Sequence, residues 1–178
     1  MAIFFILGIP VLLAAAGMVI RKQKTRGMVT AVGYGAVLCA AVLLACDSIS
    51  PDGGSAYPGF LYLDILGGFF ILVISVIAFA AALYSAGYIG RDMGKGRMTE
   101  KNAGIYYVLF NLFCFSMFLV PSVNNAGVMW VAVEMTTLIS AFLVGFYNTK
   151  ESVEAAWKYI IICSVGIIFA LLGTILFA

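Results

Sequence analysis

Long apolar runs alternate with short polar segments along the whole chain. Six of these runs approach the roughly 20 residues that a helix needs to cross a bilayer. They cover residues 2–20, 28–46, 65–89, 104–120, 127–147 and 155–177. Because the fourth run is short and a small turn joins it to the fifth, a re-entrant pair is the alternative for these two. The pattern predicts an all-α integral membrane protein with about six transmembrane helices.

The composition agrees with this pattern. Of the 178 residues, 64% are hydrophobic and 10% are charged, whereas soluble domains have about 25% charged residues. The chain contains no histidine and its four cysteines are scattered, so the sequence predicts neither a metal site nor a cofactor in this chain. No glycine-rich nucleotide-binding motif is present, and the pattern predicts neither a nucleic-acid partner nor catalysis by the chain itself.

Basic residues occur in alternate loops and indicate an orientation. The second and fourth loops, residues 47–59 and 121–125, contain no lysine or arginine. Because cytoplasmic loops are enriched in basic residues, the first, third and fifth loops are predicted to be cytoplasmic and the N-terminus to lie outside. The basic residues in question are Arg21, Lys22, Lys24 and Arg26 in the first loop, Arg91, Lys95, Arg97 and Lys101 in the third, and Lys150 in the fifth.

Glu134 is a carboxylate near the middle of the fifth apolar run. A charge at that depth costs about 2.5–3.5 kcal/mol on insertion scales. At helical spacing Glu134 shares a face with Thr137, Ser140 and Ala141, which gives a narrow polar stripe. The residues leave two interpretations open: a protonated glutamate hydrogen-bonded to a neighbouring helix, or a proton or ion site.

Two other charged residues lie at the borders of apolar runs. Lys158 is about one turn inside the sixth run, and Glu154 precedes it by four residues, so the two can pair on one helix face. Lys158 either snorkels to the interface or points inward as a cationic partner for Glu134. Asp64 opens the third run, where it either caps the helix or belongs to an ion path.

Three segments resemble a known family of membrane subunits. They are YYVLFNLFCFSMFLV, WVAVEMTTL and EAAWKYIIICSVG. They are similar to the antiporter-like subunits shared by respiratory complex I, Mrp-type cation/proton antiporters and group 4 hydrogenases, and most similar to the component F type of hydrogenase-4, as in formate hydrogenlyase. The resemblance runs from about residue 63 to residue 178.

The resemblance implies roles for two residues and a setting for the chain. By their motifs, Glu134 corresponds to the family's helix-five glutamate on the proton path and Lys158 to its helix-six lysine partner. The residue pattern, and not the resemblance, makes Thr137, Ser140 and Asp64 the candidate supporting polar residues. The implied partners are other membrane subunits, lipid and a soluble redox arm. The implied location is the inner, cytoplasmic membrane of a prokaryote, with this chain a non-catalytic subunit of an oxidoreductase complex.

The resemblance also implies how the chain is organised. Family members have about fourteen helices, so the chain is expected to correspond to an N-terminal part of one. It is treated as one transmembrane domain, 1–178. Residues 1–63 hold two leading helices and an outer loop, 64–103 the third helix with a cytoplasmic loop, and 104–178 helices four to six, which begin the antiporter-like repeat. The alternatives to proton transport are a structural anchor without transport and a sodium/proton antiporter subunit.

Overall fold

A computed structural model describes residues 2–20, 22–48, 55–56, 61–96 and 98–177, and its architecture is a bundle of helices. Five helices are long and apolar enough to cross a membrane, and a sixth, at the N-terminus, is apolar but shorter. The prediction of an all-α membrane protein with about six helices is therefore confirmed. The helices are α1 (Ala2–Val19), α2 (Gln23–Ser48), α3 (Ile65–Gly94), α4 (Glu100–Leu119), α5 (Ala126–Val144) and α6 (Lys150–Phe177).

Several helices extend beyond the apolar runs that predicted them. The helix α2 begins at Gln23 and α4 at Glu100, several residues before the corresponding runs, and α3 continues to Gly94. Apolar runs mark the part of a helix that lies in hydrocarbon, whereas Gln, Lys, Arg and Glu are good helix formers that continue it into the interface. The first and third loops are consequently shorter than the sequence predicted.

Polar side chains cap the helices where they begin. Thr99 accepts a hydrogen bond from the backbone N–H of Asn102 at the start of α4, at 3.3 Å. Asn125 does the same for α5. Before α6, Thr149 and Ser152 each accept from the other's backbone N–H, which is a reciprocal capping box. These caps satisfy donors that the first turn of a helix leaves unpaired.

Two short paired strands lie between α2 and α3, where the sequence predicted no strand. The strands β1 (Ser55–Ala56) and β2 (Tyr62–Leu63) pair antiparallel. Beside them, Leu61 forms a bridge with Val123, which follows α4. The α2–α3 and α4–α5 loops therefore meet at one end of the bundle.

The loops predicted to be cytoplasmic meet at the opposite end. The Arg26 guanidinium donates to the backbone carbonyl of Glu100 at 2.9 Å, which joins the starts of α2 and α4. The Tyr147 hydroxyl donates to the Asp92 carboxylate, which joins the end of α3 to the loop after α5. Which end faces the cytoplasm stays a prediction from the loop charges.

The helix α4 lies between α1, α2, α3 and α5, and α6 packs on α5. The core around α4 is mostly apolar, but within the described part of the chain it contains one fully buried pair of polar side chains joined by a hydrogen bond. The Tyr34 hydroxyl donates to the Asn111 side-chain oxygen at 3.0 Å, and both residues are 0% exposed. The Asn111 amide donates in turn to the Tyr107 carbonyl at 2.7 Å. This pair fixes the rotation of α4 against α2.

We expect Tyr34→Phe to lower the stability of the bundle, because it leaves the buried Asn111 oxygen without its donor. Hydrogen bonds between membrane helices contribute about 0.6 kcal/mol on average and up to about 1.7, and this pair is fully buried, so the expected loss is about 1–2 kcal/mol. Unfolding of the detergent-solubilised chain measures it.

The control is Tyr84→Phe. Tyr84 is 66% exposed, and its hydroxyl has no hydrogen-bond partner in the part of the chain that the structure describes. Equal stability of the two variants would show that the Tyr34–Asn111 pair does not hold α2 to α4.

Candidate functional site

Glu134 lies on the side of α5 that continues towards α6. It is half-buried, and among the described residues it has neither a hydrogen-bond partner nor an ion pair. Two turns further along the same face, Ala141 is 2% exposed. One turn beyond that, a Cβ added at Gly145 would lie 3.3 Å from the Ala156 Cβ, so α5 and α6 approach closely there. The structure thus places an unpaired carboxylate on the α6 side of the helix.

Thr136 attaches the opposite side of α5 to α4. Its hydroxyl oxygen lies 2.9 Å from the Ser116 hydroxyl and 2.9 Å from the Ala132 carbonyl oxygen. The Ser116 hydroxyl donates to the Phe113 carbonyl. Helical spacing alone does not mark Thr136 as a supporting residue, because its partner lies twenty positions away on another helix.

Two of the predicted supporting residues lie further along α5, Thr137 about one turn from Glu134 and Ser140 six residues from it. Thr137 is 8% exposed and donates to the Val133 carbonyl at 3.2 Å. Ser140 donates to the Thr137 carbonyl, and its oxygen is 2.9 Å from the Tyr159 hydroxyl on α6. The predicted stripe therefore includes a polar contact between α5 and α6.

Lys158 pairs with Glu154 on α6. The distance between the Lys158 Nζ and the Glu154 Oε1 is 2.5 Å, and the two side chains are 69% and 64% exposed. This is the i,i+4 pair that the spacing permits. The structure therefore brings Ser140 and Tyr159 together but leaves Lys158, the neighbour of Tyr159, paired within its own helix.

Asp64 caps α3, as one of the two sequence interpretations proposed. Its carboxylate accepts from the Gly67 backbone N–H at 2.6 Å. A Cβ at Gly67 would lie 2.8 Å from the Pro121 carbonyl oxygen, so a glycine is needed for α3 to approach the end of α4.

Asp64 also lines a groove of about 510 Å³ between α3, α5 and the end of α4, at the end of the bundle that carries the strands. Thr136 and Thr137 lie in the wall of the same groove. The groove therefore extends from the helix cap to within one turn of Glu134.

A buried carboxylate that the hydropathy pattern does not indicate lies at the end of the bundle opposite this groove. Asp92 is 7% exposed and accepts a hydrogen bond from Tyr147, whose hydroxyl is 2.9 Å from that of Tyr88. Burial raises the pKa of Tyr147, and the hydrogen bond to Asp92 raises it further. In the sequence, only the spacing of Tyr88 and Asp92, one turn apart, could have indicated a cluster.

Comparison with known proteins gives the family. No protein-family model matches the chain. A hydrogenase-4 component F homolog from Methylacidiphilum infernorum is 42% identical over 121 residues, which is 67% of this chain. Hydrogenase-4 component B of Escherichia coli is 32% identical over 65% of the chain, and a Na(+)/H(+) antiporter subunit A1 of Staphylococcus aureus is 33% identical over 66%.

The chain belongs to the antiporter-like membrane subunit family. Its matched part corresponds to 25% of the component F homolog, 16% of component B and 14% of the antiporter subunit. The family resemblance read from the sequence segments is thereby confirmed. The roles of Glu134 and Lys158 stay predictions.

Substitutions at Asp64 test whether its side chain stabilises α3 as a simple cap. Loss of an N-cap costs about 0.5–2 kcal/mol, so Asp64→Ala should destabilise the chain by about 1 kcal/mol, whereas Asp64→Asn should not, because asparagine caps equally well. Thermal unfolding in detergent measures both. A substantial destabilisation by Asp64→Asn would contradict simple capping and show that the charge itself matters.

Proposed function

We propose that this chain is a membrane subunit, or part of one, in a redox-driven proton-translocating complex, and that Glu134 is its protonatable group. Family membership supports the setting. The observation that carries the proposal is the carboxylate itself: Glu134 lies in the apolar helix α5 and has no partner among the described residues. Ionisable groups inside membrane proteins are costly and commonly mark ion pathways.

The surroundings of Glu134 support the access of protons to its carboxylate from both ends of the bundle. From one end, the groove between α3 and α5 reaches Thr137, one turn from Glu134. From the other side, the Ser140–Tyr159 contact offers hydroxyl groups that both donate and accept. A proton held at Glu134 would pass between these two sides through hydroxyls and bound water.

Lys158 would act on Glu134 electrostatically. It is held by Glu154 in this structure and is adjacent to Tyr159, which contacts Ser140 on α5. Movement of the lysine away from Glu154 and towards α5 would favour the charged form of Glu134, and its return would favour the protonated form. That exchange would couple proton release to a conformational step.

The proposed complex includes other membrane subunits and a soluble arm that carries out the electron transfer, in the cytoplasmic membrane of a prokaryote. No residue of α6 is buried within the described structure, and Trp157, Ile162 and Phe177 are each more than half exposed. In the proposed assembly, lipid and further transmembrane helices cover this face.

Two other functions compete with proton transfer. The similarity to a Na(+)/H(+) antiporter subunit favours sodium exchange as the second candidate, since Glu134 and Thr137 offer oxygen ligands that suit Na⁺ as well as a proton. A structural anchor is the third candidate, in which Glu134 stays protonated and does no transport.

We expect Glu134→Gln to reduce proton translocation to below about a tenth of wild type while electron transfer continues, because the amide cannot ionise. The measurement uses the complex purified through this chain, with its subunits identified by mass spectrometry, and reconstituted in vesicles that report proton uptake and donor oxidation together. The matched control is Glu151→Gln, which removes an exposed carboxylate from the first turn of α6.

Each alternative gives a different result in the same vesicles. Normal translocation by Glu134→Gln would contradict the proton role and favour the anchor. Activity that requires sodium and is lost in Glu134→Gln would favour antiport. Purification of a 19.0 kDa chain with no redox partner would contradict the redox-driven complex.

A further inference from the structure

A cavity of about 740 Å³ lies between α1, α2 and α4, at the end of the bundle where the basic loops meet. It is separate from the groove near Glu134. Its wall is largely apolar, with one basic corner formed by Arg26 and Lys101 beside Glu100. The lining residues are Gly17, Met18, Arg26, Glu100, Lys101, Gly104, Ile105, Val108 and Leu109.

Arg26 is the unusual member of this wall. Arg26 is only 6% exposed, although the sequence pattern predicted that it lies in the first loop. The guanidinium donates one hydrogen bond to the Glu100 carbonyl, while its buried Nε has no partner among the described residues. It forms no ion pair within the described chain either. A buried charge with an unsatisfied donor costs several kcal/mol unless an anion accompanies it.

The neighbouring backbone makes room for this guanidinium. A Cβ added at Gly104 would lie 3.2 Å from an Arg26 terminal nitrogen, so a glycine lets α4 pass close to it. A Cβ at Gly27 would lie 2.9 Å from the Ala86 Cβ, which holds α2 against α3 at the next residue. The arginine is thus held in place by packing.

Gln23 contributes a second unsatisfied group nearby. Its amide donates to the Tyr107 hydroxyl at 3.2 Å, and its buried side-chain oxygen has no partner among the described residues. Gln23 is not among the residues that line the cavity, and bound water would satisfy this acceptor.

We propose that this cavity binds an anionic membrane phospholipid. The phosphate would accept charge-assisted hydrogen bonds from Arg26 and attract Lys101, while an acyl chain would lie along Ile105, Val108 and Leu109. At the basic corner, the two positive charges of Arg26 and Lys101 outnumber the one negative charge of Glu100. The apolar wall favours a lipid over a free phosphate ion, because an inorganic anion would leave that wall uncovered. Basic pockets between transmembrane helices are known to bind lipid headgroups.

The test measures lipid binding to the full 178-residue chain after delipidation in detergent. Native mass spectrometry counts bound phosphatidylglycerol, phosphatidylcholine or inorganic phosphate in separate titrations. We expect phosphatidylglycerol to bind at least about tenfold more tightly than phosphatidylcholine, and inorganic phosphate alone to bind weakly. Arg26→Gln should lower the phosphatidylglycerol affinity about tenfold, since one charged contact is lost.

Two further variants keep the test decisive if Arg26→Gln fails to fold. Lys101→Gln removes an exposed charge at the mouth of the cavity and should weaken phosphatidylglycerol binding severalfold. Lys24→Gln removes an exposed charge from the same end of the bundle but outside the cavity, and should leave binding unchanged.

Several outcomes would overturn the proposal. Equal affinity for phosphatidylglycerol and phosphatidylcholine would show that the lipid's negative charge does not contribute to binding. Equal loss in Lys24→Gln and Lys101→Gln would indicate general surface attraction. Tight binding of inorganic phosphate in competition with the lipid would indicate a free-anion site. A photocrosslinker at residue 105 of the native complex that captures a protein in place of lipid would indicate a subunit interface.

Discussion

Hydrogen bonds from α4 to its neighbours are the interactions on which the rest of the bundle depends. Apolar packing alone discriminates poorly between rotations of a helix in lipid, because lipid tails are as apolar as leucine. Asn111 on α4 accepts from Tyr34 on α2, and Tyr106 is 2.8 Å from the Ser85 hydroxyl on α3. Ser116 meets Thr136 on α5. The helices α2, α3 and α5 are thereby each held at one rotation and one depth.

The rotation of α5 determines where Glu134 lies. Thr136 faces α4, and a residue two positions earlier on an α-helix lies about 200° around the axis. Glu134 is therefore directed away from the hydrogen-bonded core and towards the side of α5 that carries Ala141 and faces α6. The same contact that anchors α5 prevents α4 from supplying a partner for the carboxylate. An unpaired glutamate at this depth is a consequence of how the bundle is assembled.

The sequence predicted what depends on local pattern and missed what depends on distant partners. Hydropathy predicted the helices because lipid selects apolar residues along a whole span. Helical spacing showed that Lys158 and Glu154 can pair, and the position of Asp64 at the start of an apolar run made a helix cap one of its two interpretations. Arg26 could not be recognised, since its burial depends on Gly104 in another helix. Asp92 and Tyr147 are 55 positions apart, so no window along the chain connects them.

Helix direction limits how Glu134 and Lys158 can communicate. Ser140 and Tyr159 mark one level at which α5 and α6 meet. At a rise of 1.5 Å per residue, Glu134 lies about 9 Å from that level towards the start of α5, and Lys158 lies about 1.5 Å from it towards the start of α6. Because the two helices run in opposite directions, these offsets add, and the two backbones are about 10 Å apart along the axis. Side chains lean towards the N-terminus of their own helix, and these helices run antiparallel, so the two lean apart. A direct ion pair is therefore disfavoured, and coupling between them has to pass through Ser140, Tyr159 and water, or act through the electric field of the lysine.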